Sequence, residues 1–197
     1  FYPDSKKLIW SYDNVLEYAA IPGFAKGDSL TVGDSRISAL ALSPDGDKVL
    51  LGMSDGSLGL LEKGQSELKI LAKIPGDQPV DFCFLTLQGN FMLATKDGDA
   101  IYGGKLNQAK PNTLNLPFAF GITDVTYDPE ENQFYVLSAE EGLWLVDADG
   151  FKHSEILKIN QKGLNRVCPM PGKQNFFAGN FSGKIFEFKQ GKCVDSL

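Results

Sequence analysis

Apolar and polar positions alternate along this chain in short runs, each broken by turn-forming residues before it reaches helical length. From Ile37 to Ser43 the pattern is that of a strand, Pro44-Asp45-Gly46-Asp47 turns it, and Lys48 to Met53 returns. Ser54-Asp55-Gly56 then reads as a tight hairpin into Ser57 to Glu62. An Asp-Gly pair between apolar runs is a hairpin signal because Gly tolerates the positive φ such turns demand. After Lys63-Gly64-Gln65-Ser66, the Ile- and Leu-rich run Glu67 to Ile74 predicts a fourth, outer strand. No stretch of about ten residues holds a helical period, and Gly or Pro interrupts every candidate. The pattern predicts an all-β chain.

The same sequence of events recurs. Pro3, Pro44, Leu87, Pro129 and Pro171 anchor equivalent turns, 41, 43, 42 and 42 residues apart. First-strand positions keep one character across repeats: Ile37, Val80, Ile122 and Leu164, then Leu40, Cys83, Val125 and Val167. A period in the low forties with strand patterning inside each unit predicts a β-propeller, one four-stranded antiparallel blade per repeat, because such units bury their faces only against neighbours. The whole chain, 1–197, is expected to be a single propeller of about five blades, with repeats near 1–35, 36–77, 78–120, 121–162 and 163–197. Inner strands are expected near 37–43, 79–86, 122–128 and 164–169. The first repeat starts at its first turn and is expected to lack its inner strand, which implies part of a larger propeller, since an unpaired inner edge exposes backbone donors and acceptors.

The fifth repeat, Phe177-Ala-Gly-Asn-Phe-Ser-Gly-Lys-Ile-Phe-Glu-Phe-Lys-Gln-Gly-Lys-Cys, resembles a WD-repeat unit, and Gly52-Met-Ser-Asp-Gly-Ser-Leu-Gly-Leu-Leu-Glu fits the same frame. Leu61 and Phe188 stand where that family carries its terminal Trp, its Gly-His pair has no counterpart, and the sole histidine, His153, lies elsewhere. The resemblance implies a seven-bladed, WD-like propeller acting as a rigid interaction platform. The segment from Gly121 to Gly150 is similar instead to blades of six-bladed NHL-type and lactonase-like propellers.

Composition adds limits. A net charge of −6 without a Lys/Arg stripe argues against direct nucleic-acid binding. No apolar run approaches the ~18 residues that span a bilayer, so membrane insertion is not expected. Three cysteines, Cys83, Cys168 and Cys193, form neither a disulfide framework nor a zinc pattern. Cys83 and Cys168 fall in first strands, where a free thiol behaves as a small buried hydrophobe. A reducing, cytoplasmic location is the expectation.

Candidate chemistry is sparse. One His supports no His-rich metal centre, and no G-x-S-x-G marks a nucleophile. Asp45/Asp47, Asp97/Asp99 and Asp147/Asp149 lack the loop of a calcium site and sit at turns, where Asp bonds its own backbone. Tyr102-Gly103-Gly104-Lys105 has no following helix to hold a phosphate. Asn180-Phe181-Ser182 matches a glycosylation acceptor, relevant only to a secreted chain. No catalytic residue, metal or cofactor is expected, and the chain reads as no enzyme.

What remains is a surface. Hairpins joining second and third strands carry Asp13, Asp55, Asp97, Glu140 and Glu141, which in a propeller share one face and offer an acidic rim to a basic protein or peptide; acids also suit tight turns in their own right. Phe118 and Phe120, in a linker reaching that face, are aromatic anchors for a partner or core residues between the third and fourth blades. The expected role is a non-catalytic scaffold within a larger protein or multi-subunit complex. The alternative is a small-ligand or enzymatic propeller using the channel-side positions Ser38, Asp81, Thr123 and Asn165, or Ala39, Phe82, Asp124 and Arg166.

Overall fold

Strands form where the alternation predicts them. The computed structural model describes residues 6–21, 23, 25–96, 101–107, 112–114, 121–138, 142–157, 163–170, 174–190 and 192–196. Among these residues every regular element is a strand, and the strands form five antiparallel sheets. The chain divides into two compact units, Phe1–Thr95 with Tyr102–Thr113, and Lys96–Ile101 with Leu114–Leu197.

In the first unit, β1 (Lys7–Tyr12), β2 (Val15–Ala20) and β3 (Ala25–Thr31) make a three-stranded sheet. Next come β4 (Ile37–Leu42), β5 (Lys48–Met53), β6 (Ser57–Glu62) and β7 (Lys69–Lys73) as a four-stranded meander. The third sheet consists of β8 (Phe82–Leu85), β9 (Asn90–Ala94), β10 (Ile101–Lys105) and β11 (Asn112–Thr113). The Gly103-Gly104 stretch is thus strand: Tyr102 pairs with Thr113 and Gly103 with Asn112. The first sheet shows three strands among the described residues.

Both faces of the second sheet are covered, so β5 and β6 read as continuous apolar runs rather than as an alternation. Val49, Leu51, Met53 and Leu61 pack with Ile9 and Leu16 of the first sheet and with Val32 just after it. Leu50 and Leu58, on the other face, are also fully buried. Each fully buried leucine contributes roughly 1.5–3 kcal/mol of transfer free energy. Glycine at position 52 is demanded by close approach, since a Cβ there would lie 2.6 Å from Val80 Cγ1. The Asp55-Gly56 hairpin behaves as its sequence requires, with Gly56 at φ 82°. One expectation needs correcting. The inner strand of the third sheet starts at Phe82 rather than near 79, because the Val80 N–H turns to Met53 O of the neighbouring sheet at 3.2 Å.

The second unit holds β12 (Ile122–Asp128), β13 (Gln133–Ser138), β14 (Gly142–Asp147) and β15 (His153–Leu157), followed by β16 (Leu164–Pro169), β17 (Phe176–Asn180), β18 (Ile185–Lys189) and β19 (Lys192–Ser196). Its core joins Tyr135, Leu137, Leu143 and Leu145 of one sheet to Val167, Phe176, Ala178 and Phe188 of the other. Phe176 stacks on Phe188 with centroids 4.6 Å apart and meets Tyr135 edge-on at 5.8 Å.

Candidate functional site

The positions that sequence assigns to a channel sit beside a repeated irregularity. Register shifts occur between Ile37 and Ala39, between Ile122 and Asp124, and between Leu164 and Arg166. Each leaves one residue, Ser38, Thr123 or Asn165, outside the ladder, as a β-bulge does. At Ser38 and Thr123 the freed side chain reaches sideways to the next sheet. Ser38 Oγ donates to Val80 O at 2.8 Å and to Gly52 O at 3.2 Å. Thr123 Oγ1 does the same one unit later, to Leu137 O at 3.2 Å and Leu164 O at 3.4 Å.

Asp124 and Arg166 complete the joint between the last two sheets. The Val167 N–H donates to Asp124 Oδ2 at 2.8 Å, and Arg166 Nη1 donates to Thr123 O at 3.2 Å and to Asn165 O at 2.8 Å. Burial lifts the Asp124 carboxyl above the ordinary carboxylate range, against the opposing pull of the Val167 N–H and the Arg166 charge. In the first unit the corresponding wall is apolar: a recess of about 480 Å³ is lined by Ala39, Ala41, Phe82 and Phe84 with Asp81 at its start.

The acidic hairpins differ from one another. Asp13 is exposed, with φ 50°, and its carbonyl accepts the Ile37 N–H at 2.7 Å. Asp55 is half-buried and caps its own turn through the Ser57 N–H at 3.0 Å. Burial raises the Asp55 carboxyl, but Ser57, the Ser35 hydroxyl and the Lys73 charge outweigh it and leave it below the ordinary range. Asp97, Phe118, Phe120, Glu140 and Glu141 lie outside the described residues. The structure therefore places Asp13 and Asp55 on successive hairpins of the first unit.

The Asp45/Asp47 and Asp147/Asp149 pairs do what turns ask of them, while Asp97 and Asp99 lie outside the described residues. Asp45 Oδ1 accepts from the Ser43 hydroxyl at 2.5 Å and the Asp47 N–H at 3.1 Å, which holds its carboxyl below the ordinary range. Asp147 Oδ1 accepts from Asp149 N and Gly150 N at 2.6 and 3.0 Å. Cysteines divide. Cys83 is buried and its thiol is pushed up to about 12, chiefly by burial. Cys168, expected to be buried, is exposed: it pairs with Phe177, on the strand face opposite buried Val167 and Ala178.

Sequence reasoning overlooked the most exposed aromatic among the described residues. Phe181 is 75% exposed at the tip of the hairpin between β17 and β18. Asn180 Oδ1 ties that turn by accepting from Ser182 N, Ser182 Oγ and Lys184 N. The Asn-Phe-Ser-Gly turn following an apolar strand was the available signal.

No family model matches the chain, and no curated protein matches it in sequence. Among solved structures, the β-propeller domain of Myceliophteria thermophila Cps50 (Swd1) is similar, with a TM-score of 0.76 at 13% identity, over 100% of this chain and 69% of that one. In all, 1658 solved chains resemble it, the breadth of a fold that hosts many functions, so the likeness carries architecture and no activity. The fold defines a β-propeller of four-stranded antiparallel blades.

Proposed function

We propose that this chain is a non-catalytic interaction scaffold, a WD-like propeller serving a larger protein or multi-subunit assembly. One observation carries the reading. Enzymatic propellers gather their chemistry at the starts of inner strands, and here Ser38, Thr123, Asp124 and Arg166 at those positions are engaged in bonding one sheet to the next. The small-ligand alternative would draw on these same groups and would have to break those bonds first. Binding falls instead to the hairpins between second and third strands, with Asp13, Asp55, Asp97, Glu140 and Glu141 as an acidic rim and Phe118 and Phe120 as anchors. A protein or peptide with a basic segment fits such a rim through screened, long-range attraction.

The test is binding of a decalysine peptide to the full chain across a salt series. Asp13→Asn, Asp97→Asn and Glu141→Gln together remove charge while keeping side chains that suit turns. The expected result is weaker binding with a flatter salt dependence at unchanged melting temperature. Equal binding by parent and variant would remove the rim from consideration.

A further inference from the structure

The first unit carries a second surface, at the opposite end of its sheets from the Asp13 and Asp55 hairpins. A cleft of about 380 Å³ opens there between the first and second sheets, beside the turns at Gly46-Asp47 and Lys63-Gly64. Register explains its origin. Leu61 pairs with Val49, Val146 with Phe134 and Phe188 with Phe176, and each of these third-strand residues is a large buried side chain. At the same position of the first sheet, paired with Leu8, stands Ala19. The sheet therefore lacks most of a side chain where these three of the other four sheets fill the gap, and Ala20 and Gly27 beside it add no bulk. What remains is a pocket with an apolar floor of Ala19, Val49 and Leu61.

Among the described residues its rim is charged unevenly. Asp28, Asp47 and Glu62 stand against Lys7 and Lys63. Asp47 is paired to Lys63 at 2.8 Å, and Lys7 also has a partner. Asp28 and Glu62 are exposed carboxylates. Asp28 is positioned there by a register shift in β3, where Gly27 and Asp28 together face Tyr18, the kind of bulge that re-aims a side chain. An apolar floor beneath carboxylates complements a side chain with an aliphatic stem and a cationic head.

We propose that this cleft is a docking site for a lysine or arginine side chain of a partner peptide, the stem lying on Ala19, Val49 and Leu61 and the head meeting Asp28 and Glu62. It is independent of the hairpin rim, because it uses none of the same residues.

Amide-correlation NMR of the full chain, titrated with Ac-Ala-Arg-Ala-NH2, tests it, with Ac-Ala-Glu-Ala-NH2 as the control. The arginine peptide is expected to give saturable shifts centred on Ala19, Ala20 and Gly64, with a dissociation constant of about a millimolar, as suits so small a ligand. Asp28→Asn with Glu62→Gln should weaken it about tenfold, the size of a lost charge-assisted contact. Ala19→Leu restores the missing bulk and should abolish the shifts while the rest of the spectrum stays folded. Equal shifts from the glutamate peptide, shifts centred elsewhere, or no saturation would each overturn the proposal. So would full affinity in the carboxylate variant, a result that decides the matter even if Ala19→Leu does not fold.

Discussion

Asp124 is a charged group in a half-buried joint, and its two functions there can be separated. It accepts the Val167 N–H, and it carries a charge that burial disfavours. A carboxyl raised by folding binds its proton more tightly in the folded chain than in the unfolded one. Its contribution to stability therefore falls as pH rises from the ordinary carboxylate range through the raised value, and is constant above it. Asp124→Asn keeps an acceptor and removes the charge. The variant is expected to be at least as stable as the parent near neutral pH, with the difference shrinking in acid. Asp124→Ala leaves the Val167 N–H unanswered and should cost about 1–3 kcal/mol. Urea midpoints across a pH series check both, and an Asn variant as unstable as the Ala variant would refute the separation. Asp55 has the opposite sign: its lowered carboxyl stabilises above the ordinary range and stops doing so as pH falls.

At the scale of the sheet, stacking distance is set by what the strands omit. A methyl group at position 52 would overlap Val80 and come within 3.0 Å of Ala39 Cβ. Gly52→Ala should therefore destabilise by about 1–3 kcal/mol through overpacking, while Gly150→Ala, whose new Cβ would come no nearer than 4.0 Å to Lys152, should change little. A Gly52→Ala midpoint equal to that of Gly150→Ala would mean the two sheets yield freely. Strands and turns were legible in the sequence because their signals are local: Pro44-Asp45-Gly46 and Asp55-Gly56 punctuate apolar runs, and each turn sits where it was read. The joints were not. A bulge breaks the period of two on which facing is inferred, so Ser38 and Thr123 read as channel residues although their hydroxyls point at the neighbouring sheet. Cys168 was misplaced for a related reason, since the buried strand position is one residue earlier, at Val167. For the hairpin rim, the sequence located turns, and the structure adds that Asp13 is open while Asp55 already serves its own turn.

Across the molecule, burial is uneven, and local stability should follow it. β5, β6, β9 and β13 are buried almost along their length, whereas β7 and the two-residue β11 are largely exposed. Hydrogen exchange under native conditions should be slowest in β5, β6, β9 and β13 and fastest in β7 and β11. Uniform protection across the strands would show that the sheets open together, and that burial does not grade their stability.

The hydroxyl joints have one more consequence. Ser38 reaches Val80 across 42 residues, Thr123 reaches Leu164 across 41, and Asp124 reaches the Val167 N–H across 43. Each link spans one repeat, and its backbone acceptor or donor is a group that any residue but proline supplies. A duplicated stretch of that length would arrive with its own hydroxyl for the next blade and an inner strand ready to receive the previous one. Growth or loss by whole repeats leaves such joints intact, whereas a gain of half a repeat sets a hydroxyl opposite the wrong strand.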